Sequence, residues 1–180
     1  MIISSYILLK MNSFLKNIGL YDGFKVKVNI STSELIHRLG KITYKTNRSF
    51  ISLEKDSTIP KRFEYRGIIK ENSFIIKRRR HFFDFNINSP VLHGTISNEN
   101  NQLSVSINLF PSVFQFFNCI VILCFFLIAI FVNIRDNQQD LMFLAIVSVI
   151  SITQYFGLRR GISKGKYEFE RELIYLAQKS

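Results

Sequence analysis

The densest run of side chains that could do chemistry in this chain is Lys77-Arg78-Arg79-Arg80-His81. Adjacent cations suit anionic ligands, and beside a bilayer each Lys or Arg near the surface contributes about 1 kcal/mol against acidic lipid headgroups. On a strand, successive side chains point to opposite faces, so these cations cannot all meet one ligand. The plain alternative is a solvated strand end. A second pair, Arg159-Arg160, follows a long uncharged run that delivers it to headgroup level. Its role there is anchoring. Lys77, Arg78, Arg79, Arg80, Arg159 and Arg160 are the candidate lipid-headgroup contacts.

Other chemistries find little footing. His37, His81 and His93 are scattered, with no H-x-x-x-H spacing and no Cys partner, so no metal site is expected. There is no G-x-S-x-G, P-loop or dinucleotide fingerprint, and no close carboxylate pair for acid–base work. The expectation is a protein without catalytic residues or cofactor, and not an enzyme. The net charge of +11 would suit nucleic acid, yet no helix carries a basic face interleaved with aromatics and no RNA-binding signature appears. Nucleic acid is not an expected partner.

Charge is distributed unevenly. Residues 1–112 hold 17 Lys/Arg against 8 Asp/Glu, residues 113–158 one against two, and residues 159–180 six against three. The charge-poor block contains two apolar runs, 113–132 and 141–158. About 20 residues at 1.5 Å rise match a hydrocarbon core of about 30 Å. They read as a transmembrane hairpin. The first span is strongly apolar. The second carries Ser148, Ser151, Thr153 and Gln154, and inserts more readily beside a partner helix that receives its polar groups. Asn118 and Gln154 lie at matching depth and form a candidate interhelical hydrogen bond, worth about 0.6 kcal/mol by membrane standards. Cys119 and Cys124 fall inside the first run and read as small hydrophobes. Arg159, Arg160, Lys164 and Lys166 follow the second span, and the positive-inside rule puts that flank, and with it both termini, in the cytoplasm.

The rest of the chain must form the domain that the hairpin holds. Residues 1–11 read as a disordered or interfacial tail. Residues 12–112 read as a cytoplasmic α+β domain. Phe14, Leu15 and Ile18 make a short amphipathic stretch, and Phe24-Lys-Val-Lys-Val-Asn-Ile30 alternates as a half-buried strand. Ser31-Thr-Ser-Glu34 is a capping-box pattern opening a helix with Leu35, Ile36, Leu39 and Ile42 on one face. A strand is expected around Phe50–Leu53. Hairpins are expected at 63–80 and at 91–109. The economical architecture is an antiparallel sheet with one wet face, packed by one or two helices. Beyond the spans, residues 159–180 read as a separate cytoplasmic helix, amphipathic through Phe169, Leu173, Leu176 and Ala177, and docking on the domain.

Phe63-x-x-x-Gly67-x-Ile69, Phe74-x-Ile76 and Ser89-Pro90-Val91-x-x-Gly94-x-Ile96, followed by a hairpin of spans, resemble an uncharacterised family of small bacterial membrane proteins. That resemblance implies a bacterial plasma membrane location and brings no activity with it. The reading as a whole is a membrane-anchored interaction, sensing or scaffolding module, with lipid-headgroup binding as its first alternative and a membrane-bound enzyme as its remoter one. Its expected partners are the bilayer, anionic headgroups, and a protein or a second copy meeting the hairpin.

Overall fold

The computed structural model describes residues 13–46, 59–79, 89–99, 102–135 and 141–178. Six strands form one sheet: β1 (Asp22–Val28), β2 (Thr43–Lys45), β3 (Tyr65–Ile69), β4 (Ser73–Arg78), β5 (Val91–Glu99) and β6 (Gln102–Phe110), in the order β1-β6-β5-β4-β3-β2. Helix α1 spans Thr32–Ile42, α2 Val113–Arg135 and α3 Leu141–Gln178. The architecture is mixed α+β, with the core between one face of the sheet and the helices.

Local sequence accounts for most of these elements. Phe24, Val26 and Val28 of β1 face the core while Lys25 and Lys27 stay exposed. Lysine at alternate positions also discourages the edge strand from pairing with another chain. Ser31 caps α1, its hydroxyl accepting the Glu34 N–H at 3.2 Å. Leu35 and Leu39 are completely buried on the helix's inner face. The hairpins β3–β4 and β5–β6 form as their alternation requires. Gly94 has a packing reason. A Cβ there would lie 2.0 Å from Cζ of Phe74, so the buried Phe74 ring occupies the space above the glycine.

The sheet is not wholly antiparallel. β2 pairs parallel to β3, with Thr43 opposite Tyr65. The reason is topological: the chain leaves edge strand β1, crosses the sheet face as α1 and returns at the opposite edge. The strand expected around Phe50–Leu53, like residues 1–11, lies outside the described residues.

The larger difference concerns the C-terminal helix. It is not a separate element but the second half of α3, which runs unbroken for 38 residues. Its inner face (Leu158, Ile162, Phe169, Leu173 and Leu176) is buried in the domain core. Phe169 meets Tyr65 edge-on at 5.6 Å and lies 5.9 Å from Phe74. Gly165 permits the close approach, since a Cβ would lie 2.5 Å from Cγ of Pro90. Gly157 and Gly161 precede it at four-residue spacing on the same helix.

α2 and the first half of α3 pack side by side. Both helices contain stretches long and apolar enough to cross a membrane, and only 6% of each apolar window is buried in the protein. A core helix of a water-soluble domain would hide such residues. Here Phe117, Phe125, Phe131, Met142, Val149 and Phe156 all face outward.

Candidate functional site

The end of the sheet that leads into the apolar helices is defined by register. Lys77 pairs with Val91 and Val91 with Phe110. Pro111 and Ser112 then lead into α2. Ser112 closes that entry: its N–H donates to Oε1 of Gln115 at 2.8 Å, the side-chain half of a capping box. Gln115 thus serves as a cap at the start of α2. Lys77 therefore lies level with Phe110, just before the start of α2.

Its cations divide between the two faces, as strand alternation requires. Arg78 points toward α3 and bonds Glu168 at 2.5 Å. Lys77 and Arg79 lie on the other face and are 4% and 7% exposed. The Arg79 guanidinium donates to the carbonyl oxygens of Ile59 at 3.1 Å and Lys61 at 3.3 Å. Arg80 lies outside the described residues. Arg78 and Arg79 are thus engaged within the fold, and Lys77 and Arg79 are hidden from any surface ligand. Arg159 and Arg160 are exposed, directly after the apolar half of α3. Of the five described candidate headgroup contacts, these two are the exposed ones.

Further aromatic and polar contacts occur near this end of the sheet. Tyr155 donates its hydroxyl to the Ile18 carbonyl at 2.8 Å. Tyr21 packs on Phe110 at 5.0 Å and donates to Oδ1 of Asn108 at 2.8 Å. Burial and then the Asp22 carboxylate raise the Tyr21 phenol above its ordinary value. His93 meets the other side of Phe110 at 5.2 Å, and desolvation lowers its pKa. Two bonds tie α3 to the sheet from this end outward: Lys166 to Asp22 at 3.0 Å, and Glu168 to Arg78.

The polar groups of the apolar helices have their own arrangement. Ser148, Ser151 and Thr153 donate to the carbonyls of Leu144, Val147 and Val149 at 2.7–2.8 Å. Bonding back to their own helix, they need no neighbouring helix to be satisfied in an apolar medium. Asn118 is exposed and Gln154 half-buried, and no hydrogen bond joins them. Cys119 packs against the core and Cys124 is exposed on α2.

A second candidate site lies at the opposite end of the sheet. An open groove of about 930 Å³ runs between α1 and the β3–β4 turn. Ile36, Gly40 and Ile69 give it an apolar floor, while His37, Lys41, Lys45 and Lys70 stand along its rim with Glu71. No ion pair engages these lysines among the described residues. Sequence reasoning missed this groove, because its walls come from segments about thirty residues apart. Charge in each segment was visible; their meeting was not.

Comparison of the chain with models of known protein families, with curated proteins and with solved structures finds no match.

Proposed function

We propose that this chain is a membrane-anchored, non-catalytic α+β module that interacts with, senses or scaffolds a partner at the bacterial plasma membrane. Its apolar helices form a two-span hairpin, with both termini in the cytoplasm. The observation that supports this reading most directly is the unbroken α3. Its first half carries outward-facing apolar residues and its second half is a core element of the domain. With no linker between them, a tilt or rotation of the span moves the domain with it. The groove beside α1, far from the bilayer, supplies an accessible surface for a partner.

Topology is tested by a single cysteine at position 138 (Gln138→Cys) in a Cys119→Ser, Cys124→Ser background, labelled in intact cells with an impermeant maleimide. Labelling is expected, and protection would invert the orientation. The interaction reading is tested by a photocrosslinking residue at Lys41, compared with one at Lys27 on the exposed edge of β1. A discrete protein adduct from position 41 alone is expected, and none at either position removes the reading.

A second reading, lipid-headgroup binding, draws on the exposed Arg159-Arg160 pair at the start of the docked half of α3. Flotation of the full chain's Arg159→Gln/Arg160→Gln variant does not test it, since the hairpin alone holds the protein in a vesicle. Titration with a soluble short-chain phosphatidylglycerol in micelles does: equal affinity in variant and parent removes the reading.

A further inference from the structure

The N-terminal turn has an exposed aromatic residue that the domain does not use. Residues 13–17 are helical and residues 18–20 close the turn. The Leu20 N–H reaches the Leu15 carbonyl at 2.8 Å and the Gly19 N–H the Lys16 carbonyl at 3.0 Å. Gly19 adopts φ +71. This pair of bonds around a left-handed glycine is a Schellman closure, accompanied by burial of Leu15 and Leu20. The turn is therefore fixed to the domain, and the direction of its remaining side chains is fixed with it. Phe14 is 62% exposed, and Lys16, two residues further on, is exposed as well.

The position of this turn along α3 is also set. Ile18 bonds Tyr155, Gly19 abuts Arg159, and Asp22 pairs with Lys166. From Ile18 to Asp22 the chain thus climbs α3 by eleven residues, about 16 Å at 1.5 Å per residue, away from the apolar half. Phe14 lies one turn before Ile18, its carbonyl accepting the Ile18 N–H at 3.1 Å, which keeps it within a helical turn of the contact with Tyr155 near the end of the apolar half of α3. That level of α3 carries outward-facing Ile152 and Phe156 on its apolar side and the exposed Arg159 and Arg160 on the other. Aromatic rings between apolar surface and flanking cations are the composition of a membrane–water interface.

We propose that residues 13–20 form an interfacial wedge, with Phe14 seated at the boundary between acyl chains and headgroups and Lys16, Arg159 and Arg160 in the headgroup layer. The occupant of this surface is the bilayer itself. The closeness of the turn to the end of the apolar half of α3, through Ile18 on Tyr155 and Gly19 on Arg159, argues for it, since an exposed aromatic beside flanking cations suits that boundary. The inference rests on the reading of α2 and α3 as spans. The wedge adds a third point of attachment, which would fix the tilt of the domain against the membrane.

The chain contains no tryptophan, so each introduced one reports alone. Three full-length variants, Phe14→Trp, Ile128→Trp and Tyr167→Trp, are reconstituted in vesicles of phosphatidylcholine and phosphatidylglycerol carrying lipids brominated near the carbonyl or near the methyl end. Ile128 and Tyr167 are 57% and 67% exposed, the first within α2 and the second about two turns beyond Arg160. Ile128→Trp is expected to be quenched by the deep label. Phe14→Trp is expected to be quenched by the shallow label and blue-shifted relative to Tyr167→Trp, which neither label quenches. Emission from Phe14→Trp matching that of Tyr167→Trp, with Ile128→Trp quenched, overturns the wedge and leaves the spans standing. An unquenched Ile128→Trp overturns the spans and the wedge together.

Discussion

From Leu141 to Leu158, α3 turns Met142, Phe143, Ile146, Val149, Ile152 and Phe156 outward; from Arg159 to Gln178 it buries Ile162, Phe169, Leu173 and Leu176. The backbone is one helix and the surroundings are two. In the first half apolar residues cover most of the circumference, and serine and threonine satisfy themselves against their own carbonyls. In the second half they form a stripe, and the opposite side carries Lys164, Glu170 and Arg171. A stripe needs a packed partner, whereas an apolar circumference needs an apolar solvent. The difference teaches that the stability of the two halves comes from different sources and that a substitution should reveal which half it strikes.

The largest expected effect comes from Phe169→Ala. Its ring is 1% exposed and packs on Tyr65 and Phe74. Removing it should cost the domain about 3–5 kcal/mol, read as a lower denaturation midpoint of the full chain in micelles. Phe143→Ala, in the other half and 53% exposed, should leave that midpoint unchanged. Equal losses would mean that the two halves share one source of stability, and the comparison would break.

Gly165→Ala should come next. The added Cβ meets Pro90 at 2.5 Å, and overpacking of this kind costs about 1–3 kcal/mol. α3 must lift from the sheet to relieve it, so protease sensitivity of the domain should rise while the micelle-embedded half stays protected. A stabilised Gly165→Ala variant, as helix propensity alone would give, would show that close packing against Pro90 is not what fixes the second half.

Why part of this was legible in the sequence follows from range. The Ser31 cap, the alternation of β1 and the hairpins β3–β4 and β5–β6 are set by residues a few positions apart, and local pattern carries them. The apolar runs announce themselves by length and lack of charge; α2 starts at Val113 as the composition implies, and ends at Arg135 rather than at Val132. The parallel β2–β3 pairing joins segments that only the crossover of α1 brings together. The continuity of α3 was hidden by a change of environment: composition shifts at Arg159, although the helix does not. The fate of Lys77 and Arg79 was equally out of reach. Strand alternation separates them from Arg78, but only the fold shows both to be buried, so a run that reads as a surface ligand is partly interior. Arg159 and Arg160 stay outside because their neighbours on the inner face, Leu158 and Ile162, take the core.

A smaller effect should appear with pH. Burial, followed by the nearby Glu172 carboxylate, raises the Tyr65 phenol above its ordinary 10.0. The unfolded chain then loses this proton at lower pH than the folded one. The associated stability is complete below about pH 10 and declines as pH rises beyond it, by at most about 1.4 kcal/mol per pH unit. Denaturation of wild type and Tyr65→Phe should therefore diverge in slope above pH 10, with the variant flatter. Parallel curves would show that the phenol, and so the wall of the core against which α3 docks, is open to solvent.

The smallest effect tests whether charge or apolar packing fixes the docked half. Lys166 and Asp22 meet at 3.0 Å with about a third of each side chain exposed. Water screens such a pair, and a double-mutant cycle of Lys166→Met and Asp22→Asn should return a coupling of about 0.2–1 kcal/mol, falling as salt is added. Coupling at that level, beside the loss from Phe169→Ala, would make the ion pair a register mark, setting where β1 meets α3, rather than a main source of adhesion. A coupling that matches the Phe169→Ala loss and resists salt would reverse the assignment, because an interaction that strong requires the pair to be shielded from water. The second half of α3 would then be held by its charged side as well as by its apolar stripe, and the contrast with the first half would rest on charge as much as on packing.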